Sequence, residues 1–439
     1  MKASILILLS FLFISETYSQ TAKALNDKGI ANYNKNDFAG AIADYTKAIE
    51  LDPKYSNAYV NRGSAYLELR DFAAAISDFS KATEVKPDFA EAFCYRANAK
   101  VKLGNTTEAI ADYTKAIEIN PAYAEAYFYR GVLKLGLQDD KGAMADFSKA
   151  IEMNPFYELA YYNRGVAKTY QLDDIGAIED FSKAIEINPS NSLAFYNRGV
   201  AKVNQQDDKG AMADFSKAIG INPGFAEAYK NRGDSKSFLQ DSVGALADYN
   251  KAIEINPQFA EAYCNRGNTR AGFKDNKGAI DDFTKAIEIN PEYTIAYVNR
   301  GISRAQSEDF KGAIADYTKS LEYDPENPDA YYYRGNAKVS IKDNKGALTD
   351  FNKAIEIDPS FALAYYNRGT AKLNLMDYKN AIDDFTKAIG YLPKYAAAWY
   401  NRGVAKNKLG QADNGCLDLK KAADLGDTDA VDAISKLCK

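Results

Sequence analysis

Apolar residues return along this chain with helical spacing, in short bursts separated by turn residues. Between Asp174 and Ile187, the positions Ala177, Ile178, Phe181, Ala184 and Ile185 follow the i, i+1, i+4, i+7, i+8 spacing of an amphipathic helix. The stretch before it, from about Glu158 to Gln171, reads as a first helix. Asp173 and Asp174 supply N-caps for the second helix, and Asn188-Pro189 end it, because proline disfavours a helical residue before it. The predicted element is a helical hairpin. It recurs with substitutions but no insertions along nearly the whole chain. Pro53, Pro87, Pro121, Pro155, Pro189, Pro223, Pro257, Pro291, Pro325, Pro359 and Pro393 are each 34 residues apart, and only Pro328 is out of phase. An arginine comb from Arg62 to Arg402 keeps the same step. A fixed period of this size is the signature of stacked repeats, in which each unit packs on its neighbours and no central core exists.

With each unit numbered so that this proline falls at place 32, twelve units run from Ala22 to Asp429 and a ten-residue tail, 430–439, follows. Place 8 is glycine in eleven units and Ala97 in the other; place 20 is alanine from Ala41 to Ala381 and Gly415 in the last. Place 27 is alanine in all but one, where it is Ser320. Small residues at these places let two helices approach to the near end of the roughly 8–10 Å packing range. Aromatic residues fill the remaining space at place 4 (Tyr59, Phe93, Tyr127, Tyr161, Trp399) and place 24 (Tyr45, Phe79, Tyr113, Phe147, Phe385). The ends break the pattern, as caps must. Leu25 and Lys28 replace the aromatic and arginine in the first unit, and Leu419 and Asp427 replace the aromatic and proline in the last. Val431, Ile434, Leu437 and Cys438 give the tail one apolar face, predicting a capping helix.

An aromatic at place 4, Gly at 8, Ala at 20, an aromatic at 24, Ala at 27 and Pro at 32 in a 34-residue unit resemble the tetratricopeptide repeat. The resemblance implies an all-α fold, a right-handed superhelical solenoid of about twelve helical hairpins with the first helix of each lining a concave groove. Two places depart from the family: place 7, usually leucine, is arginine here, and place 11, usually tyrosine, is mostly lysine or arginine.

Composition adds a compartment. Lys2, an apolar run from Ala3 to Ile14 and Thr17-Tyr18-Ser19 read as a secretory signal peptide, 1–19, cleaved after Ser19. The mature chain is then exported to a bacterial periplasm or the cell exterior, with no membrane span. A net charge of −5 gives no broad basic field for nucleic acid. The chain has no histidine, which removes Ser-His-Asp, Cys-His and histidine-ligated zinc chemistry, and it lacks a P-loop, a GxGxxG and a CxxC. Acidic pairs such as Asp173-Asp174 and Asp207-Asp208 recur where helices start, which is a capping pattern. These features predict no enzyme, no cofactor and no metal.

Three sets of residues are candidates for recognition. Arg at place 7, Asp at place 23 and Lys at place 26 recur along the array. They form either a structural ion-pair ladder or a basic groove for an acidic ligand. Asparagine at place 6 (Asn163, Asn197, Asn231, Asn265, Asn299 among others) offers a donor and an acceptor per repeat, enough to hold the backbone of an extended peptide. The row resembles the asparagine ladder in the tetratricopeptide superhelix of O-linked N-acetylglucosamine transferases; the alternative is that asparagine is simply common at this place in the family. Place 5 carries Phe128, Tyr162 and Tyr196, then Tyr332, Tyr366 and Tyr400, and reads as groove lining or as core. The two-lysine, two-asparagine clamp of chaperone-tail-binding relatives is not matched, since Lys230 has Asp234 where that pattern has asparagine. Cys416 and Cys438, 22 apart, either staple the C-terminal cap or remain thiols; Cys94 and Cys264, five units apart, are too distant to pair. The reading is an exported scaffold that holds a protein or peptide partner in its groove, with sugar binding on the groove tyrosines as the alternative.

Overall fold

The computed structural model describes residues 20–438, so the signal-peptide segment lies outside the described residues. Those residues form helices joined by short turns, with no strand among them. The first helix spans 20–33, and helical pairs such as Glu158–Tyr170 with Asp174–Ile187 then repeat to Ala412–Asp424, followed by a last helix, Thr428–Leu437. Two compact units divide the chain after Pro223. Within each, a helix packs on the next in sequence, and consecutive first helices touch.

Local signals mark many of the boundaries. Asp173 is the N-cap of the second helix, its Oδ1 accepting the Gly176 N–H at 2.9 Å. Asp174 is the first helical residue rather than a second cap. The inter-helix turn puts its last residue in the left-handed region, at φ 59° for Leu172 and 80° for Gly104. At the far end Asn188 accepts the Ser190 N–H at 3.2 Å across Pro189, closing an Asx turn that leads into the next pair. The last helix starts at Thr428, ahead of the tail read from the sequence, because Asp427 caps it through the Ala430 N–H at 3.0 Å.

The core is a series of small, repeated clusters. Phe181, fully buried, sits among Ala177, Ala184 and Gly165. A Cβ added at Gly165 would stand 2.7 Å from the Phe181 ring, so glycine sets how closely the two helices meet. Gly63 against Phe79 and Gly199 against Phe215 repeat the fit, and Ala97 in the third repeat shows that one methyl is accommodated. Gly165→Val should therefore overpack this contact and cost about 1–3 kcal/mol. Gly220→Ala, where an added Cβ meets nothing within 4 Å, should stabilise by about 0.5–1 kcal/mol. Urea melts followed by circular dichroism separate the two; equal midpoints would show that the glycine–aromatic contact does not set the spacing.

Candidate binding surface

The charged ladder is structural. Arg164 donates through Nε and Nη2 to both oxygens of Asp180 at 2.8 and 2.7 Å, and through Nη1 to Ser148 Oγ of the preceding repeat at 3.0 Å. Its guanidinium also lies 5.6 Å from the centroid of the Tyr161 ring. Lys168 reaches the same carboxylate at 2.9 Å. Asp180 is 3% exposed, and the fork recurs from Arg62–Asp78 to Arg402–Asp418. The hydrogen bond to Asp180 raises the arginine's already high pKa further, against the opposing effect of burial. The cations of places 7 and 11 are thus held on one buried carboxylate per repeat, two cations to the aspartate where place 11 is basic, rather than standing free toward a ligand. Lysines at place 26 pair with a glutamate one turn on, as in Lys183–Glu186 at 2.6 Å, on exposed surface where such pairs contribute about 0–1 kcal/mol.

The asparagine row is largely committed as well. Asn197 donates to the Tyr162 hydroxyl at 2.9 Å, Asn265 to Asp234 at 2.7 Å and Asn299 to Asn268 at 2.8 Å. Each acceptor lies on the preceding first helix, at place 5 or place 9. Asn163 shows the rule by exception: the preceding repeat offers Phe128 and Val132, neither with an acceptor, and Asn163 turns to its own Leu159 carbonyl at 2.8 Å. Asn231 accepts from Lys230 Nζ at 3.2 Å. One amide hydrogen of most of these residues is therefore spent on clipping first helices together.

Place 5 is also corrected. Phe128 is buried, packed on Phe147 and Tyr157, and belongs to the core rather than to a lining. Tyr162, Tyr196, Tyr332 and Tyr366 are half-buried with their rings 5.8–6.3 Å from the place-24 aromatics of their own repeats. Tyr400 is half-buried, and burial pushes its phenol up. These packed rings do not form a ladder of free faces for stacking on sugars. The hydroxyls of Tyr162, Tyr332 and Tyr366 are engaged by the next asparagine, at 2.9, 3.2 and 3.0 Å.

What the surface leaves open lies at other places. A cavity of about 340 Å³ opens between Glu158–Tyr170 and Ser192–Asn204, walled by Tyr162, Val166, Thr169, Tyr170, Asn197 and Val200. Thr169 and Tyr170, at places 12 and 13, escaped the sequence reading because they fall outside the repeated skeleton. Their only signal is variation between repeats at first-helix positions that the packing rules leave unassigned.

The last pair holds the cysteines. Cys416 and Cys438 are joined in a disulfide that ties the final helix to Ala412–Asp424. Cys94 and Cys264 are buried free thiols, each pushed up to about 11, chiefly by burial.

A stack of helical hairpins whose polar clips leave a variable inner surface is a repeat scaffold for protein–protein interaction. The family comparisons agree. A TPR repeat family model matches residues 29–70, 97–138, 243–271, 303–342 and 335–375. Tetratricopeptide repeat models match 56–89 and 260–293, 366–430, and 124–157 and 193–225. The chain belongs to the tetratricopeptide repeat family. No curated protein matches it. Among solved structures, it is similar to YrrB, described as a TPR protein with an unusual peptide-binding site, with 28% identity over 42% of this chain and 95% of that one and a TM-score of 0.38. It is also similar to yeast Tom70, with 20% identity over 95% of both chains and a TM-score of 0.38. The APC/C hetero-tetramer Cut9–Hcn1 aligns over 98% of this chain and 99% of that one, with 14% identity and a TM-score of 0.48.

Alkylation reads the cysteine arrangement directly. Native protein at pH 8 should take up no label, because the thiolate fraction of Cys94 and Cys264 is small and both are buried. Denatured, unreduced protein should take up two labels, and reduced protein four. Four labels without reductant would refute the disulfide.

Proposed function

We propose that this chain is a scaffold without a reaction of its own, which holds an extended segment of a protein partner along its first helices. The observation that supports this reading is the cavity between the fifth and sixth repeats, which joins an apolar side to amide and hydroxyl groups. Val166 and Val200 supply its apolar wall, Tyr170 stands 65% exposed beside them, and Asn197 keeps a carbonyl oxygen beside the cavity. A peptide lying across the first helices would place one apolar side chain in this cavity and a backbone N–H on the asparagine carbonyl. Site and reading agree with a family whose members act as interaction scaffolds. Export to a bacterial periplasm or the cell exterior is supported by the Lys2–Ser19 segment and belongs to the same proposal.

Val166 and Val200 are half-buried, so threonine at both places keeps the branched shape while placing a hydroxyl that solvent can reach in the wall. The double variant Val166→Thr/Val200→Thr should bind a peptide selected by the wild-type chain about tenfold more weakly, with unchanged helicity. Affinity equal to wild type would reject the cavity as the seat of the peptide. Protein recovered from the envelope fraction should begin at Gln20. A cytosolic chain starting at Met1 would refute the export reading.

A further inference from the structure

The first helices Ala226–Phe238 and Ala260–Gly272 flank a second, larger cavity of about 460 Å³. That volume falls within the roughly 300–1,000 Å³ range of small-molecule sites. It opens because small side chains fall where other repeats are bulky. Gly272 stands at the place of Tyr170 and Phe238, and Ser242 at the place of Phe310 and Tyr378.

Asp234 organises the polar wall. Its Oδ1 accepts from the Tyr249 hydroxyl at 2.8 Å and from Asn265 Nδ2 at 2.7 Å, and its Oδ2 faces Lys230 Nζ at 3.0 Å. Burial, then the Asp234 charge, pushes the Tyr249 phenol far above its ordinary range, so it remains a neutral donor. Lys230, beside the wall, balances the Asp234 charge. A cation would compete with Lys230 for the carboxylate, and an anion would be repelled by it. Unspent hydrogen-bonding capacity is abundant and of both kinds. Asn268 accepts from Asn299 at 2.8 Å and keeps its amide hydrogens, and the Thr269 hydroxyl donates to the Asn265 carbonyl at 2.9 Å and keeps its lone pairs. Ser237 and Ser242 add hydroxyls that make no intramolecular hydrogen bond among the described residues. Phe273 contributes an aromatic face, 53% exposed.

From this combination we infer that the cavity between the seventh and eighth repeats binds a neutral saccharide ring. A single amide side chain of a peptide offers four hydrogen-bonding positions at most, fewer than this wall presents. A pyranose carries donor–acceptor hydroxyls around its edge and C–H bonds on its faces. The edge fits the Asp234, Asn268 and Thr269 wall, and a face fits the Phe273 ring. The site uses none of the residues of the cavity in the fifth and sixth repeats.

The test uses the full chain and saturation-transfer NMR with four probes at millimolar concentration: the methyl glycosides of glucose, galactose, mannose and N-acetylglucosamine. At least one should bind. Asn268→Ala should lower its affinity about tenfold, the equivalent of one lost hydrogen bond. Gly272→Leu should abolish binding with helicity intact, because its added Cβ meets nothing within 4 Å and its side chain fills the cavity. The Val166→Thr/Val200→Thr variant should bind the glycoside like wild type. No binding by any probe, or binding that survives Gly272→Leu, overturns the inference. So does a peptide whose capture is lost on Gly272→Leu while no glycoside binds, since that outcome assigns the cavity to a peptide side chain.

Discussion

The arginine of place 7 holds three helices at once. In the fifth repeat Arg164 grips Asp180 on the partner helix with two hydrogen bonds, reaches Ser148 of the preceding repeat with a third, and covers Tyr161 with its plane. Replacing such a pair by apolar residues of the same volume is often neutral or even stabilising, whereas losing one partner costs about 3–5 kcal/mol. Its use here is therefore register. A planar fork satisfies both carboxylate oxygens in one orientation, and the third bond extends that orientation to the next repeat. Glycine against aromatic sets the distance between the two helices of a pair; arginine against aspartate sets their alignment.

Once these demands are met, few side chains remain for recognition. Places 7, 11 and 23 are consumed by the ion ladder, places 8, 20, 24 and 27 by packing, and much of place 6 by amide clips to the previous repeat. The clips adapt to their neighbours: Asn197 uses a tyrosine hydroxyl, Asn265 a carboxylate and Asn299 an amide. What varies freely is the wall of the spaces between consecutive first helices. In the fifth and sixth repeats that wall mixes valine and tyrosine with threonine and asparagine; in the seventh and eighth it adds serine and aspartate and has no aliphatic residue, with Tyr249 and Phe273 as its aromatics. One backbone pattern thus carries two different cavities, and several wall residues, Asp234 and Asn268 among them, also serve the clips between first helices.

The hairpin, its period and its caps were legible in the sequence because each rests on local physics. Asp173 caps because its carboxylate meets a backbone N–H three residues on, Pro189 stops a helix through its own ring, and Gly165 opposes Phe181 at the same offset in most repeats. The alignment of arginine and aspartate could be read too, since sixteen residues separate the partners in every pair. Place 5 was harder to assign. Phe128 and Tyr162 occupy the same place, yet one is buried in the core and the other half-buried with its hydroxyl accepting from the next asparagine.

By itself the sequence determined the repeat, the family and the helical hairpin, since these follow from contacts that recur at fixed offsets along the chain. The tertiary structure decided which polar groups are spent and where space is left. Whether Asn163 turns to its own backbone or Asn197 to a neighbour depends on what the previous helix presents at that depth. Whether a cavity opens at Gly272 and Ser242 depends on several small residues from two repeats meeting at one point. Vacancy is a property of many side chains in three dimensions, and no single offset in the sequence encodes it.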